Sequence, residues 1–382
     1  MDSIYLDYNA TSPVLPEARE AMRPWLESDF GNPSSTHRLG QKARDAVEGA
    51  REAVAALLHA DPREILFTSG GTESDNLAVL GVLRASGRGR HALASAVEHH
   101  AVLNTVHALP GLGFSGSFLP VDRGGRVDPS LLEESLGPDT ALVSVMHANN
   151  ETGALQDVER VGEACRRRRV PYHCDAVQTF GKLPLDLKRL PVDLLSASAH
   201  KFGGPKGAGF LFVRRGLRLV PLLHGGEQEN EVRPGTENVA GIVGMAAAAA
   251  AACARMGAEA ERQRALRDRL EAALRQGVPG LRVNASGGPR VDNTLSVLFP
   301  GVESDVMIMK LDAMGLCVSS GSACAAGASQ PSHVLKAMGL GEAESQTVIR
   351  LSLGPGTTRE QVDFACQALP RAWQELCRAG VG

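Results

Sequence analysis

The segment Glu64-Ile-Leu-Phe-Thr-Ser-Gly-Gly-Thr-Glu-Ser-Asp-Asn76 decides the fold class. Its first five residues predict a short buried strand, because they are mostly apolar and end at a turn signal. Gly70 and Gly71 predict a tight turn, and the capping residues from Thr72 onward predict the start of a helix. A strand that leads directly into a helix is the repeating unit of α/β folds.

Four further apolar runs repeat this pattern at helix-length intervals, at residues 91–96, 140–147, 171–175 and 194–197. Each run ends in polar or small residues and is bounded by glycine, proline or charged segments. Such runs are typical of parallel strands that are buried on both faces. The sequence therefore predicts a doubly wound, mostly parallel sheet, in which ligands bind at the carboxyl ends of the strands.

The pattern changes after about residue 257, where helices and strands mix in the manner of an α+β domain. The expected helices are 257–276, 303–314, 333–338 and one from 358, and the expected strands are 294–299, 315–319 and 347–353. A chain of 382 residues also exceeds the size at which single cores stop growing. We predict a large domain at 16–257 and a smaller α+β domain formed by 1–15 and 258–382.

Composition argues against several classes of protein. The net charge is −3, and the one basic cluster, 166–169, is typical of a solvated helix end, so a nucleic-acid partner is not expected. The N-terminus lacks an apolar signal segment, and the uncharged stretch 239–254 indicates an interior helix, so no membrane association is expected. Seven cysteines without a C-x-x-C pair suggest free thiols in a reducing cytoplasm, and no metal site is predicted.

Two segments indicate a phosphate-bearing aldehyde cofactor. Lys201 follows an apolar strand and precedes a glycine-rich turn, and a buried lysine can form a Schiff base with an aldehyde. Ser198 and His200 could donate hydrogen bonds to a phosphate, as could Gly71 and Thr72 at a helix N-terminus. Taken alone, Lys201 would be read as a solvated surface lysine, whereas an ordinary capped helix would explain the segment from Gly71 as well as a phosphate site does.

Polar residues at other strand ends extend this candidate site. Asp175 ends a buried strand, where a carboxylate needs a cationic partner such as a protonated ring nitrogen. Gln178 and Asn150 offer amides to a ring oxygen, and His99 could stack on a planar ring and move protons. The alternatives are a helix-capping aspartate, a turn asparagine and a structural histidine. The adjacent His100 leaves open which of the two imidazoles faces the ring.

Cys324 lies in a loop made almost entirely of small residues, where nothing resembles a core. We therefore expect a mobile, exposed segment whose thiol acts as a nucleophile. Arg350, on a predicted strand, could bind a substrate carboxylate with two hydrogen bonds, or it could form a structural ion pair. The remaining cysteines sit in apolar or helical patterns typical of inert residues: Cys165, Cys174, Cys253, Cys317, Cys366 and Cys377.

These segments together resemble the cysteine desulfurases of the NifS/IscS type, which are fold-type I, class V pyridoxal-phosphate enzymes. The resemblance covers nearly the whole chain. Its most specific motifs occur in order as FGNPSSTH, FTSGGTESDN, EHHAVL, HANNETG, HCDAVQTFGKLP, SASAHKFGGPKGAGFL, RPGTENVAGI and SSGSACAAGASQPSHVL.

The resemblance implies a fold-type I transferase that converts L-cysteine to L-alanine and leaves the sulfur as a persulfide on Cys324. Lys201 resembles the Schiff-base lysine of the family, and His99 the stacking histidine that moves protons. Thr236 matches a residue supplied to the phosphate across a homodimer interface. Asn32 lies in a motif near the substrate pocket. The other matching positions are those of the ring partners Asp175, Gln178 and Asn150, the phosphate cradle Gly71, Thr72, Ser198 and His200, and the substrate arginine Arg350.

The family also implies a cytoplasmic enzyme that passes sulfur to an acceptor such as an iron–sulfur scaffold protein. Two departures concern partners: Asn230 and Glu231 replace a basic residue and glycine, and the chain ends soon after Trp373, where some members carry a docking tail. The alternatives are a selenocysteine lyase, a class V aminotransferase and a non-catalytic subunit. An aminotransferase would not need Cys324, and a non-catalytic subunit should have lost Lys201, Asp175 or Cys324, all of which are present. A dinucleotide-binding oxidoreductase is disfavoured, because the early glycine turn lacks G-x-G-x-x-G spacing.

Overall fold

The computed structural model describes residues 3–87, 89–321 and 331–380. Its strands are β1 (Ile4–Tyr5), β2 (Ile65–Thr68), β3 (His91–Ser95), β4 (Ser115–Leu119), β5 (Thr140–Ser144), β6 (Tyr172–Asp175), β7 (Leu194–Ser198), β8 (Gly209–Val213), β9 (Arg282–Val283), β10 (Thr294–Leu298), β11 (Leu316–Cys317), β12 (Ser319–Ser320) and β13 (Val348–Ser352). Its α-helices are α1 (Pro16–Glu27), α2 (Arg38–Leu57), α3 (Gly71–Ala85), α4 (His100–Ala108), α5 (Pro129–Ser135), α6 (Val158–Arg168), α7 (Val239–Gly277), α8 (Ser304–Ala313), α9 (His333–Ala337), α10 (Glu342–Ser345) and α11 (Arg359–Ala379).

A seven-stranded sheet with the order β2-β8-β7-β6-β5-β3-β4 forms the centre of the fold. The strands from β7 to β4 run parallel, and β8 runs antiparallel to both of its neighbours. The predicted mostly parallel sheet is therefore confirmed. The sequence reasoning missed β4 and β8, because β4 (SGSFL) carries mostly small residues and β8 directly follows the glycine-rich turn.

Neighbouring residues of the same strand enter different hydrophobic clusters. On β2, Phe67 joins one cluster and Leu66 another, and on β8 Phe212 and Leu211 divide in the same way. Successive side chains of a strand point to opposite faces, so both faces of the sheet are covered by helices. This explains why the strands appear in the sequence as continuous apolar runs.

The C-terminal part contains a four-stranded antiparallel sheet with the order β12-β13-β10-β9. The first residues of the chain join this part, because β1 pairs in parallel with β11 and Asp7 forms a bridge with Ser352. A separate hydrophobic cluster forms beneath this sheet, around Phe299, Leu351 and Leu369.

The long helix α7 differs from the sequence expectation. Two helices were expected, one over 239–254 and one over 257–276, but the structure has a single continuous helix. Gly257 is tolerated inside it because the flanking alanine, methionine and glutamate residues are strong helix formers. The predicted boundary between 257 and 258 falls within this helix, and the division into two domains stays a prediction.

By length and composition, α7 would be able to cross a membrane. It packs against α1, α2 and α11, and a core helix of a water-soluble protein has the same length and composition. The packing of its alanine-rich half against neighbouring helices explains the apolar composition without a membrane.

Candidate active site

A cavity of about 340 Å³ lies where β6 and β7 end, facing the start of α3 and the strand β13. Ten of the predicted site residues line it. They are Gly71, Thr72, His99, Asn150, Asp175, Gln178, Ser198, His200, Lys201 and Arg350. Side chains that are far apart in the sequence thus meet at the carboxyl ends of the strands, as predicted.

Lys201 lies in a 3₁₀ turn immediately after β7, and its ammonium faces two backbone carbonyls. Its Nζ donates hydrogen bonds to the carbonyl oxygens of Asn9 at 2.6 Å and Ala10 at 2.8 Å. Asn9 is itself held in place, since its side chain donates to Thr294 Oγ1 at 2.8 Å. The N-terminal segment therefore positions the amine, a role that the sequence reasoning did not assign to Asn9 or Ala10.

Asp175 ends β6 and is buried. Burial raises the pKa of its carboxyl to about 6, opposed by a hydrogen bond from the Val177 N–H at 2.9 Å and by the charge of Lys201. Gln178 Nε2 donates a hydrogen bond to the Asn9 carbonyl at 3.0 Å. Gln178 Oε1 accepts one from the Lys182 ammonium at 3.4 Å. In the part of the chain that the structure describes, no helix begins directly after Asp175, so the helix-capping alternative is wrong, and the bond from the Val177 N–H closes a turn at the cavity wall.

The start of α3 approaches the end of β7 closely. Gly70 precedes the helix with φ of 148°, a conformation that favours glycine, and a Cβ at this position would lie 3.3 Å from Ser198 Oγ. A side chain at Gly70 would therefore crowd Ser198, and glycine keeps the space between the N-terminus of α3 and the end of β7 open. His200 bonds through Nδ1 to Thr11 Oγ1 at 3.1 Å, and burial lowers its pKa to about 4.

His99 is the N-cap of α4, and its Nδ1 accepts a hydrogen bond from the Ala101 N–H at 3.1 Å. The neutral ring therefore carries its proton on Nε2. Burial, and then the charge of Lys201, lower the pKa of His99 to about 4, so the ring is neutral near pH 7. His100 also lines the cavity, with its ring centroid 4.7 Å from that of His333.

Arg350 on β13 is 1 % exposed and has two partners. Its Nη2 donates to Asp7 Oδ1 at 2.7 Å, and its Nη1 donates to the Asn150 carbonyl at 3.2 Å. Its Nε is buried and has no partner among the described residues. The ion pair considered from the sequence is therefore present, and the guanidinium still has an unsatisfied donor at the cavity.

Two predicted site residues lie on the surface and do not line this cavity. Asn32 accepts a hydrogen bond from the Ser34 N–H at 2.9 Å, and Thr236 is exposed between Gly235 and the start of α7. Their roles stay predictions, and for Thr236 the prediction concerns the partner subunit. Cys324 lies outside the described residues. Cys377, expected to be an inert residue of an apolar pattern, is exposed.

The sequence reasoning missed two buried acids in the cavity wall. Glu151 accepts a hydrogen bond from Ser332 Oγ at 2.5 Å, and burial raises its pKa to about 7. Asp75 is also buried and lines the cavity. Both sit in motifs quoted above, among polar and small residues whose pattern gives no sign of burial. Within the described parts of the chain, no group of three or more His, Cys, Asp or Glu is arranged to hold a metal ion.

The family model named "Aminotransferase class-V" matches residues 4–364. A cysteine desulfurase IscS from Dictyoglomus turgidum is 45 % identical over 374 residues, covering 98 % of this chain and 95 % of the relative. A solved structure named "NifS-like protein" is 38 % identical with a TM-score of 0.92, over 98 % of this chain and all of the other. Another solved structure, named "SspA in complex with cysteine", is 37 % identical with a TM-score of 0.83. The match covers 93 % of this chain and 100 % of the other.

The chain therefore belongs to the class-V aminotransferase family, whose enzymes depend on pyridoxal 5′-phosphate. Its near full-length relatives place it among the cysteine desulfurases of the NifS/IscS type.

The cavity fits this cofactor. Its glycine-lined helix N-terminus suits a phosphate. Lys201 offers an amine to an aldehyde. Asp175 is a buried carboxylate that gains from a cationic ring nitrogen.

Proposed function

We propose that this protein is a cysteine desulfurase that converts L-cysteine to L-alanine and receives the sulfur on Cys324. The observation that carries the proposal is the single cavity in which Lys201, Asp175 and Arg350 meet. The three groups supply an amine, a carboxylate and a guanidinium, which is the set that an amino-acid substrate and an aldehyde cofactor require. The near full-length similarity to proteins named cysteine desulfurase supports the same conclusion.

The residues proposed to hold the cofactor surround its three polar ends. Gly71, Thr72, Ser198 and His200 would bind the phosphate, and Lys201 would bind the aldehyde carbon. Asp175 and the amides of Gln178 and Asn150 would face the ring. When bound, the cofactor supplies an electron-accepting ring for the bonds of the substrate Cα.

The protein groups orient the substrate and move its protons. Arg350 binds the substrate carboxylate, and Asn150 is fixed nearby by its carbonyl contact with Arg350. Lys201 removes the proton from Cα, which requires the amine to leave the carbonyls of Asn9 and Ala10. His99 presents Nε2–H in its neutral form, so it is first a hydrogen-bond donor in this site.

The sulfur step balances without an outside oxidant or reductant. The thiolate of Cys324 attacks the substrate sulfur, an S–S bond forms, and the substrate C–S bond breaks with its electron pair on carbon. That carbon then takes a proton, Cα regains the proton that Lys201 removed, and the three-carbon product leaves as L-alanine. Enzyme thiol and L-cysteine thus become enzyme persulfide and L-alanine, and the persulfide sulfur passes to an acceptor protein.

The assembly proposed here is a cytoplasmic homodimer. Thr236 is exposed, as a residue must be if it reaches the phosphate in a second subunit. The reaction needs no nucleic-acid or membrane partner, and an iron–sulfur scaffold protein is the proposed acceptor. The dimer is testable by its mass in solution, and a Thr236→Ala variant should bind the cofactor more weakly while remaining dimeric.

The decisive experiment follows alanine and sulfide together in purified protein given L-cysteine and a reductant. Cys324→Ala should retain the visible absorbance of the bound cofactor and lose both products, while Cys377→Ala, a change at an exposed cysteine, should keep both. Equal amounts of alanine and sulfide from the wild type support the proposal. If Cys324→Ala forms both products at the wild-type rate, Cys324 is not the acceptor and a lyase becomes the better description.

A further inference from the structure

A second aspartate, Asp75, lies in the wall of the same cavity with little to stabilise an ionised carboxylate. It sits near the start of α3 and is 1 % exposed. Neither of its carboxylate oxygens has a hydrogen-bond partner among the described residues. An ionised carboxylate that is buried in this way loses its hydration without compensation, which is among the costliest arrangements in a protein interior.

The groups that face Asp75 do not supply a positive charge. His173 on β6 has its Nε2 3.5 Å from Asp75 Oδ1, but burial lowers the pKa of His173 to about 3, so the ring is neutral. Both of its nitrogens are already engaged, with Ser144 Oγ and Ser196 Oγ, each at 2.9 Å. Ser196 on β7 faces Asp75 as well and only partly favours the ionised form.

The other two groups that face Asp75 are carboxylates, Asp175 on β6 and Glu98 between β3 and α4. Burial, followed by repulsion from Asp175, raises the pKa of Asp75 well above its usual range. The ionised form of Asp175 is better stabilised, because its carboxylate accepts a hydrogen bond from the Val177 N–H at 2.9 Å and the charge of Lys201 lowers its pKa. When two neighbouring carboxyl groups share one proton, the proton goes to the one with less support for its charge.

We propose that Asp75 carries a proton in the working enzyme, so that the pair formed with Asp175 holds one negative charge and that charge stays on Asp175. In this proposal Asp75 is a positioning residue that acts through Asp175. The inference deepens the proposed function, because it assumes that Asp175 faces the ring nitrogen. A protonated Asp75 explains how two buried aspartates coexist in one cavity wall. Only Asp175 is then negatively charged, and its charge pairs with the one positive charge of the ring nitrogen.

The proton can be observed directly by infrared spectroscopy of the full-length holoenzyme near pH 7, with and without ¹³C in the aspartate side-chain carboxyls. We expect a C=O band of a protonated carboxyl that shifts with the label in the wild type. The label separates it from Glu98, a buried acid whose pKa is raised to about 8. The band should disappear in Asp75→Asn and persist in Asp312→Asn, a matched change at an exposed position on the last turn of α8.

A wild type without an aspartate band of this kind overturns the proposal, and this arm needs no variant to fold. A band that survives in Asp75→Asn but disappears in Asp175→Asn also overturns it, because the proton would then reside on the wrong partner.

The cofactor supplies a second readout. Asp75→Asn exchanges one neutral group for another of nearly the same shape, so cofactor affinity should stay within about twofold of the wild type. A loss of cofactor from folded Asp75→Asn would contradict a neutral Asp75. If Asp175→Asn leaves the cofactor spectrum unchanged, the role proposed for Asp175 fails, whereas the infrared result still decides the protonation of Asp75.

Discussion

Replacing Arg350 by lysine isolates the two-pronged contact proposed for the substrate carboxylate. The guanidinium is almost fully buried, one of its nitrogens is bound to Asp7 and another to the Asn150 carbonyl, and its Nε has no partner among the described residues. Lysine keeps the positive charge but presents a single point donor in place of a planar fork.

The expected loss is that of one charge-assisted hydrogen bond, about 1.5–3 kcal/mol. This corresponds to a fall of about 10- to 150-fold in kcat/KM for L-cysteine. Most of the effect should appear in KM, because the carboxylate is bound equally in the ground state and the transition state.

Initial rates of alanine formation over a range of L-cysteine concentrations measure both parameters. Arg290→Lys is the matched control, since Arg290 is a half-buried, ion-paired arginine that binds Glu271 outside the cavity. A folded Arg350→Lys enzyme with bound cofactor and an unchanged KM would refute the assignment. A Tm measurement separates this case from a general loss of stability through the broken contact with Asn150.

Three further changes test other parts of the site. Asp175→Asn should lower kcat by about 10²–10³-fold, because the change removes a preorganised negative charge beside the ring of the cofactor. Stopped-flow absorbance with L-cysteine measures this rate, and an unaltered rate would contradict the role of Asp175. Glu229→Gln should destabilise the fold by about 3–5 kcal/mol, because the buried carboxylate binds both terminal nitrogens of Arg51, at 2.8 and 2.7 Å, and accepts the Phe67 N–H at 2.8 Å. Urea unfolding at constant cofactor concentration measures this loss, and an unchanged midpoint would contradict it. Glu98→Gln tests pH dependence: burial raises the pKa of Glu98 from 4.5 to about 8, so folding takes up a proton. The wild type should therefore lose stability relative to Glu98→Gln as the pH rises from about 4.5 to about 8, and a difference that is constant with pH would count against it.

Much of the site follows from strand ends that are visible in the sequence. Asp175 and Ser198 end β6 and β7, which pair side by side in parallel, so the polar residues after each strand necessarily meet at one edge of the sheet. The same rule could not reveal the antiparallel β8 or the continuous α7. Strand order and helix continuity across Gly257 depend on packing between elements that are distant in the chain.

The amino-acid sequence by itself determined the fold class, the family and most of the side chains that line the cavity. Only the tertiary structure decided which partners those side chains have. Lys201 lies against the carbonyls of Asn9 and Ala10, and Arg350 pairs with Asp7 across 343 positions of the chain. The protonation of buried acids such as Asp75 likewise depends on what surrounds them, because solvation, hydrogen bonds and neighbouring charges are set by packing and leave no local pattern in the sequence.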